Sequence, residues 1–256
     1  MNLTNKQIRE QARHLLDDNV FGKDWLKSVL TLTITAAIGS AIVSAAATVT
    51  SIIVTLISSL LLTFLPDANE LLISIIAYLV TYLAEVLVGF GIAGNMGIGI
   101  ASVNLDLVRG DGHISIRKFL DGFRNFFDHF IIGFMVTLQI ALWSMLFVVP
   151  GVYVALSYAL VYHVKNDHPE YTWRDCLDES ERLMTGNRWR YFKLVCSFFG
   201  WSFLSFFATC GVGTIWVTAY METSIAIFHE QVKAEKDSLL PDSTDMGSTS
   251  PVIYGR

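Results

Sequence analysis

Glu222 and Glu85 are the two carboxylates set inside the long apolar stretches of this chain. A charge in lipid is expensive, so such a residue marks an ion path, a proton relay or a polar cavity by default. Glu222 sits among Tyr220, Thr223 and Ser224, a short way before Phe228. At 1.5 Å per residue it lies about 9 Å inside the cytoplasmic end of its helix. It can line a polar cavity or carry protons. Alternatively, it serves as packing glue through a hydrogen bond to a neighbouring helix. Glu85 falls near the outer interface beside Tyr78 and Tyr82, where water reaches it. Asn95, Asn104 and Gln139 are expected to hydrogen-bond between helices. His163 and His168 flank Asp167. Histidine and aspartate bind metal, but this spacing fits no common site. The acids Asp175, Asp178, Glu179 and Glu181 read more simply as a solvated helix face. No metal and no cofactor are therefore expected.

Gly89-Phe90-Gly91-Ile92-Ala93-Gly94 spells the dinucleotide fingerprint. That motif needs a strand before it, and here it lies within an apolar helix, so it is rejected. Gly89, Ala93, Gly97 and Ala101 instead form a small-residue stripe at steps of four, the kind that lets helix backbones approach closely. No H-E-x-x-H, G-x-S-x-G, P-loop or paired thiols occur. Without a nucleophile–base pair or a ligand cluster, an enzyme is not expected.

The elements that carry these residues are set by hydropathy and charge. The 256 residues are 53% hydrophobic and 16% charged, with a mean hydropathy of +0.49. Soluble chains average about 25% charge. The 18 Lys and Arg residues fall into residues 1–27, 104–128, 165–193 and the tail, while the turns near 66–70, 149–151 and 210–213 hold none. Cytoplasmic loops retain Lys and Arg, so this alternation predicts an all-α polytopic membrane protein. It would have six transmembrane helices in three hairpins, with both termini in the cytoplasm. Residues 1–24 are read as a cytoplasmic amphipathic segment, 25–232 as the membrane domain and 233–256 as a disordered cytoplasmic tail. The net charge of −5, with no dense basic run, gives no support for nucleic-acid binding. Cys176, Cys196 and Cys210 have no paired spacing and read as small buried hydrophobes.

The first hairpin is oversized. About 20 apolar residues cross a bilayer, yet Ser28 to Pro66 contains no charged residue at all. Its surplus apolar length needs cover from a second copy, a membrane partner or the bilayer surface.

The chain also reads as three similar units. Each has an amphipathic segment, a glycine-aromatic-basic junction and a hairpin. The apolar faces are Ile8, Ala12, Leu15 and Leu16, then Ile116, Phe119, Leu120, Phe123 and Phe127, then Trp173, Cys176, Leu177 and Met184. Thr4 with Gln7, and Thr172 with Asp175, offer helix caps. Such helices can lie on the membrane surface or pack together as a cytoplasmic cap. The junctions are Gly22-Lys23-Asp24-Trp25, Gly122-Phe123-Arg124-Asn125-Phe126 and Gly186-Asn187-Arg188-Trp189, the last continuing into Arg190. Glycine lets the chain re-aim, and aromatic and cation suit the interface. Pro150-Gly151 is placed in the outer turn of hairpin two.

From Trp143 onward a family resemblance emerges. Its motifs are Pro150-Gly151, Tyr158, Asp167-His168-Pro169, Ser180-Glu181-Arg182-Leu183-Met184, Gly186-Asn187-Arg188-Trp189-Arg190-Tyr191-Phe192 and Phe198-Phe199-Gly200-Trp201. Over about 143–230 the chain resembles the bacterial multi-pass proteins of domain-of-unknown-function family 975. That family is distantly similar to the membrane domain of some glycerophosphodiester phosphodiesterases. His168 departs from a pattern that more often reads Asp-Asn-Pro. The resemblance implies a protein of the bacterial cytoplasmic membrane and brings no activity with it. The expected function is a non-enzymatic scaffold, partner or envelope-stress component. Its partners would be the lipid bilayer and a second copy or other membrane chain at the first hairpin. The alternative is a small transporter or channel for an ion, lipid or amphiphile that uses Glu222.

Overall fold

The computed structural model describes residues 3–16, 23–64, 69–109, 125–209 and 211–238, and among them every regular element is a helix. In chain order these are α1 (Asn5–Leu15), α2 (Lys23–Phe64), α3 (Glu70–Arg109), α4 (Phe126–Leu146), α5 (Val148–Ser157), α6 (Val161–Asp167), α7 (Trp173–Met184), α8 (Arg188–Ala208) and α9 (Val212–Asp237). Five stretches are long and apolar enough to cross a membrane: α2, α3, α4, α8, and α5 taken with α6. These helices fit a membrane protein. The expected sixth span falls in α9, which has 26 residues and is about 39 Å long. It is not apolar enough to stand among the five.

Helices α2 and α3 are single helices of 42 and 40 residues. At 1.5 Å per residue each is about 60 Å long, twice the apolar thickness of a bilayer. The many hydroxyls of α2 do not break it, because they bond to its own carbonyls. Thr31, Thr48, Thr50 and Ser58 donate to Lys27, Ser44, Ala46 and Val54 at 2.8–2.9 Å. A polar side chain satisfied within its own helix is tolerable in lipid.

The rest of the described chain packs around the inner halves of α2 and α3. Both expected capping boxes form, Thr4 with Gln7 and Thr172 with Asp175. The amphipathic faces they start are used up by protein contacts. Ile8, Ala12 and Leu16 of the first segment and Cys176 and Met184 of α7 are fully buried. They share cores with Leu194 and Phe198 of α8 and with Ala219 and Phe228 of α9. Both α1 and α7 pack their apolar faces against the rest of the protein. The middle segment, with Ile116, Phe119, Leu120 and Phe123, and the junction glycines Gly22 and Gly122 lie outside the described residues.

Several boundaries differ from the sequence-based expectation. Hairpin two turns at Phe147, whose backbone is extended, and not at Pro150-Gly151. Pro150 and Gly151 belong to the first turn of α5, where proline's missing N–H costs nothing. A Cβ on Gly151 would lie 2.2 Å from the Ser144 Oγ, so this glycine lets α5 fold back closely on α4. The fourth helix also breaks between Ser157 and Val161. At the carboxyl end, α9 runs on to Asp237, so Lys233, Glu235 and Lys236 are helical, not the start of a disordered tail; residues 239–256 lie outside the described set. Cys176 is buried as expected, and burial pushes its thiol up to about 11. Cys196 is exposed, against expectation, and Cys210 lies outside the described residues.

Candidate functional site

Three helix ends converge on one partly buried charged cluster. Spacing alone aligns its residues. His163 and Asp167 are four apart on α6, and His229 and Lys233 are four apart on α9, so each pair shares a helical face. Arg109, in the last turn of α3, reaches both carboxylates. Its Nη2 donates to Asp167 Oδ1 and to Glu230 Oε1, each at 2.6 Å, and its Nε donates to Glu230 at 3.0 Å. Lys233 Nζ pairs with the other oxygen of Asp167. The Asp167 side chain is 3% exposed. A guanidinium fork is well suited to bridging two carboxylates. Two anions meet two cations, so the cluster is charge-balanced.

Behind this pair the His163 and His229 rings lie 5.3 Å apart, both buried. None of their four nitrogens has a hydrogen-bond partner among the described residues. Asp167, His229 and Glu230 bring ligand atoms within 4.8 Å of one another. Their geometry favours an ion-pair lock over a metal centre. His229 turns Nε2 toward Asp167 at 3.9 Å and Nδ1 toward Glu230 at 3.8 Å, so opposite sides of one ring face the two acids. A metal about 2 Å from each ligand would require the ring to turn and both cations to leave. His168, the other histidine flanking Asp167, lies apart, stacked on Tyr171 at 4.4 Å.

Two further cations, the buried Lys165 and the half-buried Arg190, tie the same end together. Lys165 donates to the carbonyls of Pro169 and Tyr171 at 2.9 and 2.7 Å and pairs with Asp128 at the start of α4. Arg190 bonds to Asn187 Oδ1, to Glu235 at 3.2 Å and to the Leu3 carbonyl, and its guanidinium lies 5.8 Å from the Phe228 ring centre. Within the junction motif, Gly186 has φ +85°, a left-handed turn that glycine adopts without strain and that re-aims the chain from α7 into α8. Asn187 is buried, whereas Trp189 is exposed with Phe192 stacked beside it. Only Trp189 has the setting of an interface anchor.

The remaining singled-out residues are scattered. Glu222 is half-buried on α9, with no hydrogen bond to the described residues. Glu85 is half-buried on the outer part of α3, past the stacked and exposed Tyr78 and Tyr82. Asn95 is fully buried and donates to the Gly91 carbonyl at 3.1 Å and to Phe126 at 3.5 Å, linking α3 to α4. Gln139 accepts from the Tyr158 hydroxyl at 2.6 Å. Asn104 accepts from Thr223 at 3.1 Å, linking α3 to α9.

The small-residue stripe is corrected. Gly89 faces open space and Ala93 is exposed. Ala101 is buried and Gly97 meets the ring of Tyr162. The close crossing is made by Gly94, where a Cβ would lie 2.3 Å from the His129 carbonyl and 2.7 Å from Gly133 Cα. The face that meets α4 runs through Gly91, against the Phe130 ring, and Gly94. The ion-pair lock escaped sequence reading altogether. Its trace was the matched spacing of His163/Asp167 and His229/Lys233 at two helix ends.

The helices that build most of this site, from the tip of α4 through α9, coincide with a known family. Residues 145–236 match the family model described as "Protein of unknown function (DUF975)". Over this segment the chain is similar to the DUF975 family. No curated protein and no solved structure matches it. The DUF975 segment holds His163, Asp167, His229, Glu230 and Lys233 of the lock, and Arg190. Arg109 and the whole α2–α3 hairpin lie outside the matched residues.

Proposed function

We propose that this chain is a non-enzymatic component of the bacterial cytoplasmic membrane that works by assembly, docking through the outer half of its first hairpin against a second copy of itself. The observation that carries this reading is the bareness of that hairpin. From Ile42 to Leu87, α2 and α3 expose large apolar side chains, including Leu56 at 64%, Phe64 at 75% and Leu71 at 71%. Both helices are about twice as long as one bilayer crossing, so lipid alone does not cover them. Contiguous exposed apolar surface of this extent marks a membrane or protein contact.

The proposed topology has six spans, with α9 as the sixth and both termini inside. The distribution of Lys and Arg supports it, as does the 26-residue length of α9. The docking test is disulfide cross-linking in membranes with single cysteines on a cysteine-free background. Leu56→Cys should give a dimer band and Leu26→Cys should not. Monomer alone at every position from 49 to 83 would contradict assembly through this hairpin.

A second reading, transport, rests on Glu222. It is a half-buried carboxylate on α9 with no hydrogen bond to the described residues. Glu222→Gln should then abolish any proton-linked flux in vesicles. An unchanged flux across pH removes Glu222 from the account.

A further inference from the structure

A groove of about 870 Å³ runs along the α8–α9 hairpin beside α1 and the start of α2. Its wall is apolar and aromatic, with Trp25, Phe198, Trp201 and Trp216 as the largest contributors. One end lies where the Tyr220 hydroxyl donates to the Arg9 carbonyl at 2.8 Å and the Tyr220 ring meets Phe198. The other end lies at Thr209 and Gly213, joined by a bond of 2.6 Å. From Phe198 to Thr209 the wall is about 17 Å long.

The charge of this groove is one-sided. Among the described residues, Lys6, Arg9 and Arg13 line it against a single acid, Glu10. Glu10 is itself only 3.9 Å from Lys6, in an exposed pair, and such pairs are weak. Two buried donors are also left over. Arg9 Nε and Trp25 Nε1 have no acceptor among the described residues, and Trp25 is 6% exposed. Buried N–H groups are nearly always bonded, so these two call for oxygen atoms brought by something else.

We infer that this groove binds one anionic phospholipid, its phosphate held by Arg9, Arg13 and Lys6 and an acyl chain laid along Phe198, Trp201 and Trp216. A phosphate supplies the acceptor oxygens that the stranded donors lack and the charge that three cations favour. An acyl chain fits the aromatic wall. A peptide or a helix from a second copy would cover the wall but would leave the cationic end unmatched. The inference is independent of assembly through the outer hairpin.

The test is native mass spectrometry of the full chain in mild detergent with equal dioleoyl phosphatidylglycerol and dioleoyl phosphatidylcholine. One phosphatidylglycerol should be retained in preference. Arg9→Gln with Arg13→Gln should lower that retention by on the order of tenfold, and Glu10→Gln should raise it. Lys6→Glu is a second probe, because its side chain is 80% exposed and its exchange leaves the fold intact. It too should weaken retention. Ser205→Trp, which fills the middle of the groove, should remove it. Equal retention of the two lipids, or phosphatidylglycerol retention unmoved by the Arg9/Arg13 and Lys6 variants, would overturn the inference.

Discussion

The two ends of this molecule are built on opposite principles. At the inner end, Arg109, Asp167, Glu230 and Lys233 hold three helices by ion pairs, and each cation there has named partners. At the outer end, α2 and α3 run on past the body with apolar side chains facing outward. The inner end is complete within one chain. The outer end has its backbone satisfied by helix and its hydroxyls satisfied by its own carbonyls, but many of its large apolar side chains stay exposed. Polar groups that must find a mate fix a single arrangement, whereas an apolar helix in lipid is stable by itself and is free to take a partner.

Substitutions break this contrast in a graded way. The largest effect is expected at the α3–α4 crossing. Gly94→Val places side-chain atoms against backbone and should cost about 3 kcal/mol or more, read as lost folded protein in detergent. Gly89→Val, one turn outward in open space, should be silent, and equal losses at both sites would dissolve the difference between the ends. Next comes the lock. Arg109→Gln leaves Asp167 and Glu230 facing each other. A broken buried pair costs about 3–5 kcal/mol, and since the Arg109 side chain is 38% exposed, about 2 kcal/mol is expected, measured by thermal denaturation.

Smaller effects sharpen the contrast further. Thr172→Ala removes the cap of α7 and should cost about 1 kcal/mol. The Thr172 hydroxyl and backbone hold the Asp175 carboxyl below its usual range. A depressed carboxylate stabilises the fold above its unfolded value, about 4, and that contribution is lost as pH falls through the lower folded value. The acid sensitivity of α7 in Thr172→Ala should therefore weaken, as hydrogen exchange would show. The smallest change is expected at Leu56→Ala, below about 0.5 kcal/mol for the monomer, with its effect confined to cross-linking.

What could be read from sequence follows the range of each interaction. The caps at Thr4 and Thr172 were legible because their partners lie three residues away. The long apolar helices and the need to cover the first hairpin were legible from composition. The left-handed turn at Gly186 was legible because it lies at a junction. The lock was not, because Arg109 and Glu230 are brought together only by the fold. The run Lys233, Glu235 and Lys236 looked like a solvated tail, since the partners that keep it helical, Asp167, Arg190 and Thr185, lie far off in the chain. Within the chain the close approach of α4 uses Gly91 and Gly94, while Gly89 and Ala93 of the stripe at steps of four face outward.

The central proposal is that these two unlike ends lie on opposite sides of one membrane, the ion-paired end in the cytoplasm. Thiol labelling of intact cells with an impermeant reagent tests it most directly. Single cysteines would be placed on a cysteine-free background at Asn69, beside the hairpin turn, and at Asp178, on the exposed face of α7. The account predicts labelling at Asn69 and none at Asp178 until the cells are opened. Labelling at Asp178 in sealed cells would contradict it.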